Sequence, residues 1–142
     1  MHFNENSAIE LRDKIVNDIM NKAISFIRYR YTDPERAAQI LGQCLHTIQD
    51  SYSRSHVKRD SAWRIIQFQN YNAQDGEKHG KADKEAWSSE YQQAQAHSHN
   101  FMSLMLCNQF VNLTHVRGYL IDSIFHLGPV SIAATTDDEF AK

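Results

Sequence analysis

The sequence predicts an all-α protein, a single compact helical domain over residues 1–134 with a polar C-terminal tail over residues 135–142. Its 142 residues include only five Gly and two Pro, too few for the many turns of an all-β sandwich. Apolar residues recur every three or four positions in several segments, which is the period of an amphipathic helix. This length allows one hydrophobic core and leaves no room for a second domain.

The first two helices have the clearest boundary signals. Ser7 begins a capping-box pattern, and apolar residues at a spacing of four extend the first helix to about Tyr31. Asp33 and Pro34 suit the N-cap and the first position of a second helix. We expect this second helix to end near Asp50.

The second half of the chain contains two further helical patterns. One helix begins near Ala82, and five apolar residues form one stripe along it: Trp87, Tyr91, Ala94, Phe101 and Met105. The other helix covers about residues 115–127 and stops at a Gly-Pro pair. Residues 63–68 fit either a short strand or a helical turn, and residues 70–80 are expected to form a loop.

Charge and composition exclude several classes of protein. Fifteen basic and seventeen acidic residues give a net charge of -2, whereas a general nucleic-acid coat protein would be basic. No apolar run approaches the ~20 residues of a transmembrane helix, and no signal peptide is visible. We expect a cytoplasmic protein, or one secreted by a signal-independent route. Cys44 and Cys107 are expected to be reduced, buried thiols.

Five side chains in two segments are potential metal ligands. His46 and Asp50 are four residues apart on a predicted helix and share one face, and His56 follows in a short loop. His79 and Asp83 repeat the same spacing. Imidazole and carboxylate together suit zinc, or manganese and iron less selectively. A carboxylate can bridge two ions, and paired ions suit phosphoryl chemistry.

The helical wheel of the second helix leaves two interpretations of this face open. The opposite side is apolar and consists of Ala37, Leu41, Cys44 and Ile48. The face that carries His46 and Asp50 is either a solvated polar surface or a metal-lined cavity covered by other parts of the chain. Gly42 favours the cavity, because a glycine within a helix often marks the close approach of another group.

The full pattern, His46-x3-Asp50-x5-His56-x22-His79-x3-Asp83, resembles the zinc-dependent phospholipase C and single-strand nuclease superfamily. The resemblance covers about residues 37–83. It implies a related helical fold with one to three zinc ions. His46 and Asp50 would share one zinc site, and Asp50 would also reach toward a neighbouring ion. The remaining three ligands would form the second site.

The resemblance does not extend to the N-terminal ligands of that family. Family members have an N-terminal Trp that binds metal through its amine and carbonyl, together with an upstream Asp and His. This chain begins with Met1, and its only upstream histidine is His2. Either the chain is a piece of a longer protein, or the site is reduced, or later histidines substitute, namely His97, His99, His115 and His126.

The predicted activity is metal-dependent hydrolysis of a phosphodiester, with a zinc-activated water as nucleophile. Asp50 would orient or share that water, and Arg54 or Arg59 would bind the phosphate. A phospholipid is favoured over single-stranded nucleic acid because of the residues that surround the motif and because the chain has no excess of basic charge. Four aromatic residues near the motif are either an apolar substrate wall or core: Tyr52, Trp63, Phe68 and Tyr71.

Two alternatives belong to other functional classes. The chain could be a non-catalytic helical module, such as a fragment, a degenerate relative or an interaction domain that keeps one structural metal. It could also bind no metal and use its polar face to dock a partner. If the protein is an enzyme, single-strand nuclease activity is the second choice after phospholipase activity. The sequence contains no Gly-x-Ser-x-Gly motif, so a serine lipase is not predicted.

Overall fold

The computed structural model describes residues 5–68, 89–107 and 109–133. These ranges contain four α-helices: α1 (Glu5–Tyr29), α2 (Pro34–Asp50), α3 (Ser89–Leu106) and α4 (Leu113–Tyr119). α4 continues into a π-helical turn, Leu120–Ile124. They also contain three short strands: β1 (Val57–Arg59), β2 (Ile65–Phe68) and β3 (Leu127–Ala133). The described part of the chain is therefore mostly helical, with one small sheet.

The turn between α1 and α2 follows the predicted capping chemistry. The Asp33 carboxylate accepts a hydrogen bond from the backbone N–H of Arg36 at 3.2 Å, and Pro34 occupies the first helical position. This confirms the predicted start of α2. The predicted start of α1 is wrong, because the helix begins at Glu5 and Ser7 lies within its first turn. A capping residue must stand outside the helix it caps.

The core lies where α2 packs against α1 and α3, and where β3 packs against α1. The predicted apolar side of α2 is buried as expected: Ala37, Leu41, Cys44 and Ile48. Ala94, Phe101 and Met105 of the predicted α3 stripe are buried, but Tyr91 is 55% exposed. Tyr91 lies near the N-terminal end of α3, beyond the part of the helix that packs against the core.

The three strands form a sheet that the all-α prediction lacked. β1 and β2 pair antiparallel, with Val57 opposite Phe68, while β2 and β3 pair parallel, with Ile65 opposite Leu127. The ambiguous segment 63–68 therefore becomes a strand from Ile65 onward. Its side chains gain burial on the sheet that a single helical turn could not provide.

The last predicted helix is shorter than expected. Its helical path ends at Ile124, where the N–H of Phe125 donates to the carbonyl of Leu120 at 2.6 Å. Gly128 and Pro129, expected to stop a helix, instead lie inside β3. A Cβ on Gly128 would lie 3.2 Å from the side chain of Ile66, so glycine allows β3 to approach β2 closely.

The loop between β1 and β2 is organised by Asp60. Its carboxylate accepts hydrogen bonds from the N–H groups of Ala62 and Arg64 and from Nε of Arg64, each at 2.9 Å. Partial desolvation raises the pKa of Asp60, but these donors together lower it. Trp63 has φ 64°, in the left-handed region, which lets the chain reverse direction before β2.

Several sequence expectations concern other parts of the chain. Four of these expectations lie outside the described residues: the loop at 70–80, the helix start near Ala82, the side chain of Trp87 and the tail at 135–142.

Both cysteines are free, as predicted, but only Cys44 is buried and Cys107 is exposed at the end of α3. In the described part of the chain, no helix has both the length and the apolar character that a membrane crossing requires.

Candidate metal centre at Asp50

Asp50, the last residue of α2, lies at the centre of the candidate site. His46 precedes it by one helical turn, so both side chains lie on the same face. Nε2 of His46 is 3.2 Å from Oδ2 of Asp50. The side chain of His46 is 75% exposed and that of Asp50 is 31% exposed. The pair therefore lies at the surface, within reach of a ligand from solvent.

His56 reaches the same carboxylate from the tight turn that follows α2. The N–H of Ser53 donates to the carbonyl of Asp50, and the N–H groups of His56 and Val57 donate to the carbonyl of Ser53, all within 2.9–3.0 Å. These bonds reverse the chain and bring Nε2 of His56 to 3.9 Å from Oδ1 of Asp50. The side chain of His56 is only 8% exposed. One imidazole is thus exposed and the other is buried.

The two imidazoles face different oxygens of the Asp50 carboxylate. Neighbouring ligands on a tetrahedral zinc ion are about 3.3 Å apart, given zinc–ligand bonds of about 2.0–2.2 Å. The 3.2 Å separation between His46 and Asp50 matches this value, and the 3.9 Å separation at His56 is somewhat longer. The donor types and their placement fit a carboxylate that serves one ion through each oxygen.

The described residues do not complete a metal site by themselves. Among residues 5–68, 89–107 and 109–133, no three His, Cys, Asp or Glu side chains are placed so that they could hold one ion together. The two remaining predicted ligands, His79 and Asp83, lie outside these ranges. The structure therefore brings together three of the five predicted ligands, as two His–Asp contacts that share Asp50.

A small cavity of about 300 Å³ adjoins the carboxylate of Asp50. Its other lining residues are mostly apolar and come from α1, α2, the two hairpin strands and the end of the π-helical turn: Leu11, Ile15, Thr47, Ser51, Val57, Phe68 and Phe125. Neither His46 nor His56 lines this cavity, so Asp50 alone connects it to the candidate site. An apolar wall beside an aspartate suits a ligand that has both a polar and an apolar part. Phe68 was one of the four aromatic residues noted in the sequence near the motif.

Gly42 and the α2 surface around it do not support a covered cavity. Among the described residues, a Cβ at Gly42 would meet no atom within 4 Å, so none of them approaches this position closely. The interpretation of Gly42 as a contact point was therefore wrong. The site is formed at the end of α2 by the following turn, rather than along the middle of the helix.

The two predicted phosphate-binding arginines differ in their surroundings. Arg54 is half-buried in the turn between Asp50 and His56. Arg59 is directed to internal partners: Nε donates to the carbonyl of Ser51 at 3.0 Å, Nη1 donates to the carbonyl of Trp63 at 2.7 Å, and Nη2 donates to Oγ of Ser51 at 3.1 Å. These bonds tie β1 to the end of α2 and favour a structural role for Arg59.

A second cluster of polar and aromatic side chains was missed in the sequence. The guanidinium of Arg59 lies 3.9 Å from the centre of the Tyr52 ring, and the Tyr52 ring stacks on His97. Nδ1 of His97 is 2.6 Å from the hydroxyl of Tyr119. Burial lowers the pKa of Arg59 to about 10, although Tyr52 raises it, so the guanidinium stays charged at neutral pH.

The later histidines considered as substitute ligands are part of no group of three potential ligands among the described residues. His97 is held by Tyr52 and Tyr119, while His99 and His115 are exposed. Burial is the main cause of the lowered pKa of His126, whose carbonyl accepts the N–H of Ile65. His97 and His99 share one polar stretch of sequence, and only the spatial arrangement separates them.

The aromatic residues near the motif are mainly structural. Tyr52 and Phe68 are buried, Trp63 is half-buried beside Tyr52, and Tyr71 lies outside the described residues.

No family model, curated protein or solved structure matches this chain. The candidate site is therefore characterised by its own geometry, the Asp50 carboxylate between two imidazoles.

Proposed function

We propose that this protein is a metal-dependent phosphodiester hydrolase, with phospholipid as the favoured substrate class and zinc as the favoured metal. One observation carries the proposal: Asp50 has an imidazole within 4 Å of each of its two oxygens. Histidine and aspartate side chains are among the ligand types that zinc prefers. A zinc ion in such a site lowers the pKa of bound water and polarises phosphoryl oxygens.

The side chains of this chain have distinct roles in the proposal. His46 and one oxygen of Asp50 hold one position, and His56 and the other oxygen hold the second, completed by His79 and Asp83. Asp50 also orients the attacking water. Arg54 lies in the turn between two of the ligands and is the candidate for binding the phosphate, whereas Arg59 is directed to internal partners.

Two features support a phospholipid rather than a nucleic acid. The cavity beside Asp50 is lined largely by aliphatic and aromatic side chains, which suits the apolar part of a lipid. The net charge of -2 lacks the basic excess that attracts a polyanion. The resemblance of the ligand pattern to the zinc phospholipase C and nuclease superfamily agrees with this choice, and the related fold is part of the proposal.

The test combines metal content with hydrolysis. Protein purified without chelator or affinity metal is analysed by elemental mass spectrometry and then incubated with phosphatidylcholine vesicles and with single-stranded DNA. We expect about two zinc ions per chain, one for each position, and release of phosphocholine that EDTA abolishes. Asp50→Asn keeps the shape of the side chain but removes its charge, and should lower both metal content and turnover at least ~100-fold.

The matched control is Asp122→Asn, which makes the same change at an exposed carboxylate in the π-helical turn. It should leave metal content and activity unchanged. If the protein takes up no zinc even when zinc is offered in excess, the proposal is wrong. If it binds zinc and cleaves single-stranded DNA alone, the nuclease class replaces the phospholipase class.

The second candidate function is a non-catalytic module that retains a structural metal. The low exposure of His56 and its position in a hydrogen-bonded turn favour it, because structural metals commonly hold such turns together. In that case chelation should lower the thermal midpoint of unfolding while neither substrate is hydrolysed. His56→Gln should reproduce the effect of the chelator.

A further inference from the structure

An exposed apolar face lies where the end of α1 and the start of α2 meet the C-terminal end of α3. Phe110 is 84% exposed and Tyr31 is 74% exposed, and these are the two most exposed large hydrophobic side chains among the described residues. Leu106 on the same face is 54% exposed. Single exposed apolar residues are ordinary, but a group of them on one face marks an interaction surface.

A groove of about 600 Å³ lies within this face. Tyr31 lines it from the turn after α1, and Leu106 and Cys107 line it from the end of α3. The first turns of α2 contribute Pro34 and Ala38, which are also exposed. The groove is therefore lined by apolar side chains that an incoming molecule can reach.

Phe110 protrudes beside this groove and does not fill it. Its neighbour Gln109 lines the groove, whereas Phe110 does not. Nη2 of Arg30 donates a hydrogen bond to the carbonyl of Gln109, which joins the end of α1 to the segment that carries Phe110. The guanidinium of Arg30 also lies 4.8 Å from the centre of the Tyr31 ring. One face thus holds both a protruding apolar side chain and an apolar groove.

The charged residues that flank the groove are of both signs. Arg28 and Arg36 are exposed and positive, while the residues Asp33 and Glu35 are exposed and negative. These four charges cancel and leave only the charge of Arg30, so a polyanion or an anionic membrane gains little attraction. An apolar centre that contains aromatic side chains, surrounded by a charged rim, is typical of a protein–protein interface.

We propose that this face binds a second copy of the chain, in a two-fold symmetric dimer in which Phe110 of each protomer enters the groove of the other. A two-fold interface pairs one surface with itself, so each protomer must carry both the protruding group and the groove. This face carries both. Its mixed charges also allow the arginines of one protomer to meet the acidic residues of the other.

The proposed interface is remote from the candidate metal centre. The groove is lined by the first turns of α2, whereas Asp50 is the last residue of that helix. The 16 residue steps from Pro34 to Asp50 correspond to about 24 Å along the helix axis. Dimerisation leaves Asp50 accessible, and the proposal does not depend on the hydrolase proposal.

Sedimentation equilibrium of the full chain in reducing buffer, from about 1 to 300 µM, tests the proposal. We expect a reversible equilibrium between monomer and dimer, without the larger species that a head-to-tail contact would build. Phe110→Ser removes the protruding group and should weaken association at least about tenfold. Tyr91→Ser changes another exposed aromatic residue that does not line the groove, and should associate as wild type does. Urea unfolding verifies that both variants fold.

Cys107 reports whether the dimer uses this face, because its thiol is exposed and it lines the groove. Its rate of modification by an aromatic disulfide reagent in excess should fall at least about threefold as the protein concentration rises through the dissociation constant. In Phe110→Ser the rate should stay constant over the same concentrations.

Wild-type protein that stays monomeric up to about 300 µM overturns the proposal. A dimer that Phe110→Ser does not weaken, or in which Cys107 keeps its full reactivity, also overturns it, because the interface then lies on another face. Monomeric protein that floats with phosphatidylglycerol vesicles, and no longer does so as Phe110→Ser, would assign the face to a lipid surface instead.

Discussion

The imidazole of His97 lies parallel to the ring of Tyr52, with the ring centres 5.5 Å apart. The two residues belong to different elements, the turn after α2 and the middle of α3. Nδ1 of the same imidazole contacts the hydroxyl of Tyr119. His97 thereby links three segments that are far apart in the sequence, and its protonation state affects how well they pack.

The first prediction is that stability declines on acidification through His97. Burial, followed by the charges of Arg59 and His126, lowers the pKa of His97 below its ordinary value of 6.5. The unfolded chain therefore binds the extra proton first as pH falls. The stabilisation is complete above about pH 6.5 and is lost as pH falls from there toward the folded-state pKa.

Urea unfolding at about pH 7.5 and about pH 5.5 measures this effect. His97→Gln keeps a partner for Tyr119 but does not titrate, so it should show a smaller loss of unfolding free energy than wild type. Part of the loss should remain, because burial also lowers the pKa of His126. His115→Gln alters an exposed histidine and should behave as wild type. Equal losses in wild type and His97→Gln would contradict the prediction.

The second prediction concerns the structural role of Arg59. Arg59→Lys keeps the positive charge but loses the three-bond arrangement with Ser51 and Trp63, because lysine cannot reproduce the planar fork of arginine. We expect the unfolding free energy to fall by about 2–3 kcal/mol. Lys58→Met changes the exposed neighbour in β1 and should alter the unfolding free energy by less than about 0.5 kcal/mol. A near-neutral Arg59→Lys variant would show that these bonds contribute little.

The third prediction concerns backbone strain at Trp63. Its φ of 64° is costly for any residue with a Cβ and is readily adopted by glycine. Trp63→Ala and Trp63→Gly both lose the contact with Tyr52, so their difference isolates the backbone. We expect the glycine variant to be more stable than the alanine variant by about 1 kcal/mol. At Ala62, where φ is not positive, substitution by glycine should instead be destabilising or neutral.

The fourth prediction is that the two thiols differ strongly in reactivity. Cys107 is exposed, whereas Cys44 is 1% exposed and its Sγ lies 3.8 Å from the carbonyl of Ile19. Burial raises the pKa of Cys44 to about 11, although Lys22 lowers it, so little thiolate forms at neutral pH. An aromatic disulfide reagent should modify Cys107 within minutes and reach Cys44 only on unfolding.

The variant Cys107→Ser provides the control for this measurement. It should remove the fast phase of thiol modification and leave the slow phase, whose rate should follow urea concentration. A fast phase that persists in Cys107→Ser would mean that α2 opens readily in the folded protein. Such opening would also expose the core contacts that Cys44 makes with α1.

Local signals in the sequence determined much of the helical part of the fold. The Asp33-Pro34 pair marks the start of α2, because capping and a fixed proline φ act within a few residues. The periodicity of α2 identified which side is buried, since a 3.6-residue repeat is a property of the helix itself. The helical spacing of His46 and Asp50 likewise predicted that their side chains meet.

The sheet and the surroundings of the site depend on contacts between distant segments. β3 follows a π-helical turn and pairs with β2 across roughly sixty residues of chain, so nothing local distinguishes it from the end of a helix. Gly42 had a local pattern typical of a close contact, yet no described residue outside its own helix comes within 4 Å of a Cβ placed there. Tyr91 shares the apolar stripe of α3 yet is 55% exposed, because exposure depends on what packs against the helix.

The sequence by itself determined the helices, the buried side of α2 and the residue types that make Asp50 a candidate ligand. Tertiary structure decided that His56 folds back onto Asp50, that Arg59 is directed inward, and that Tyr31 and Leu106 line one groove. The physical reason is the range of the interactions. Caps and helical periods involve neighbours in the chain, whereas the pairing of polar groups depends on which distant segments exclude water from them.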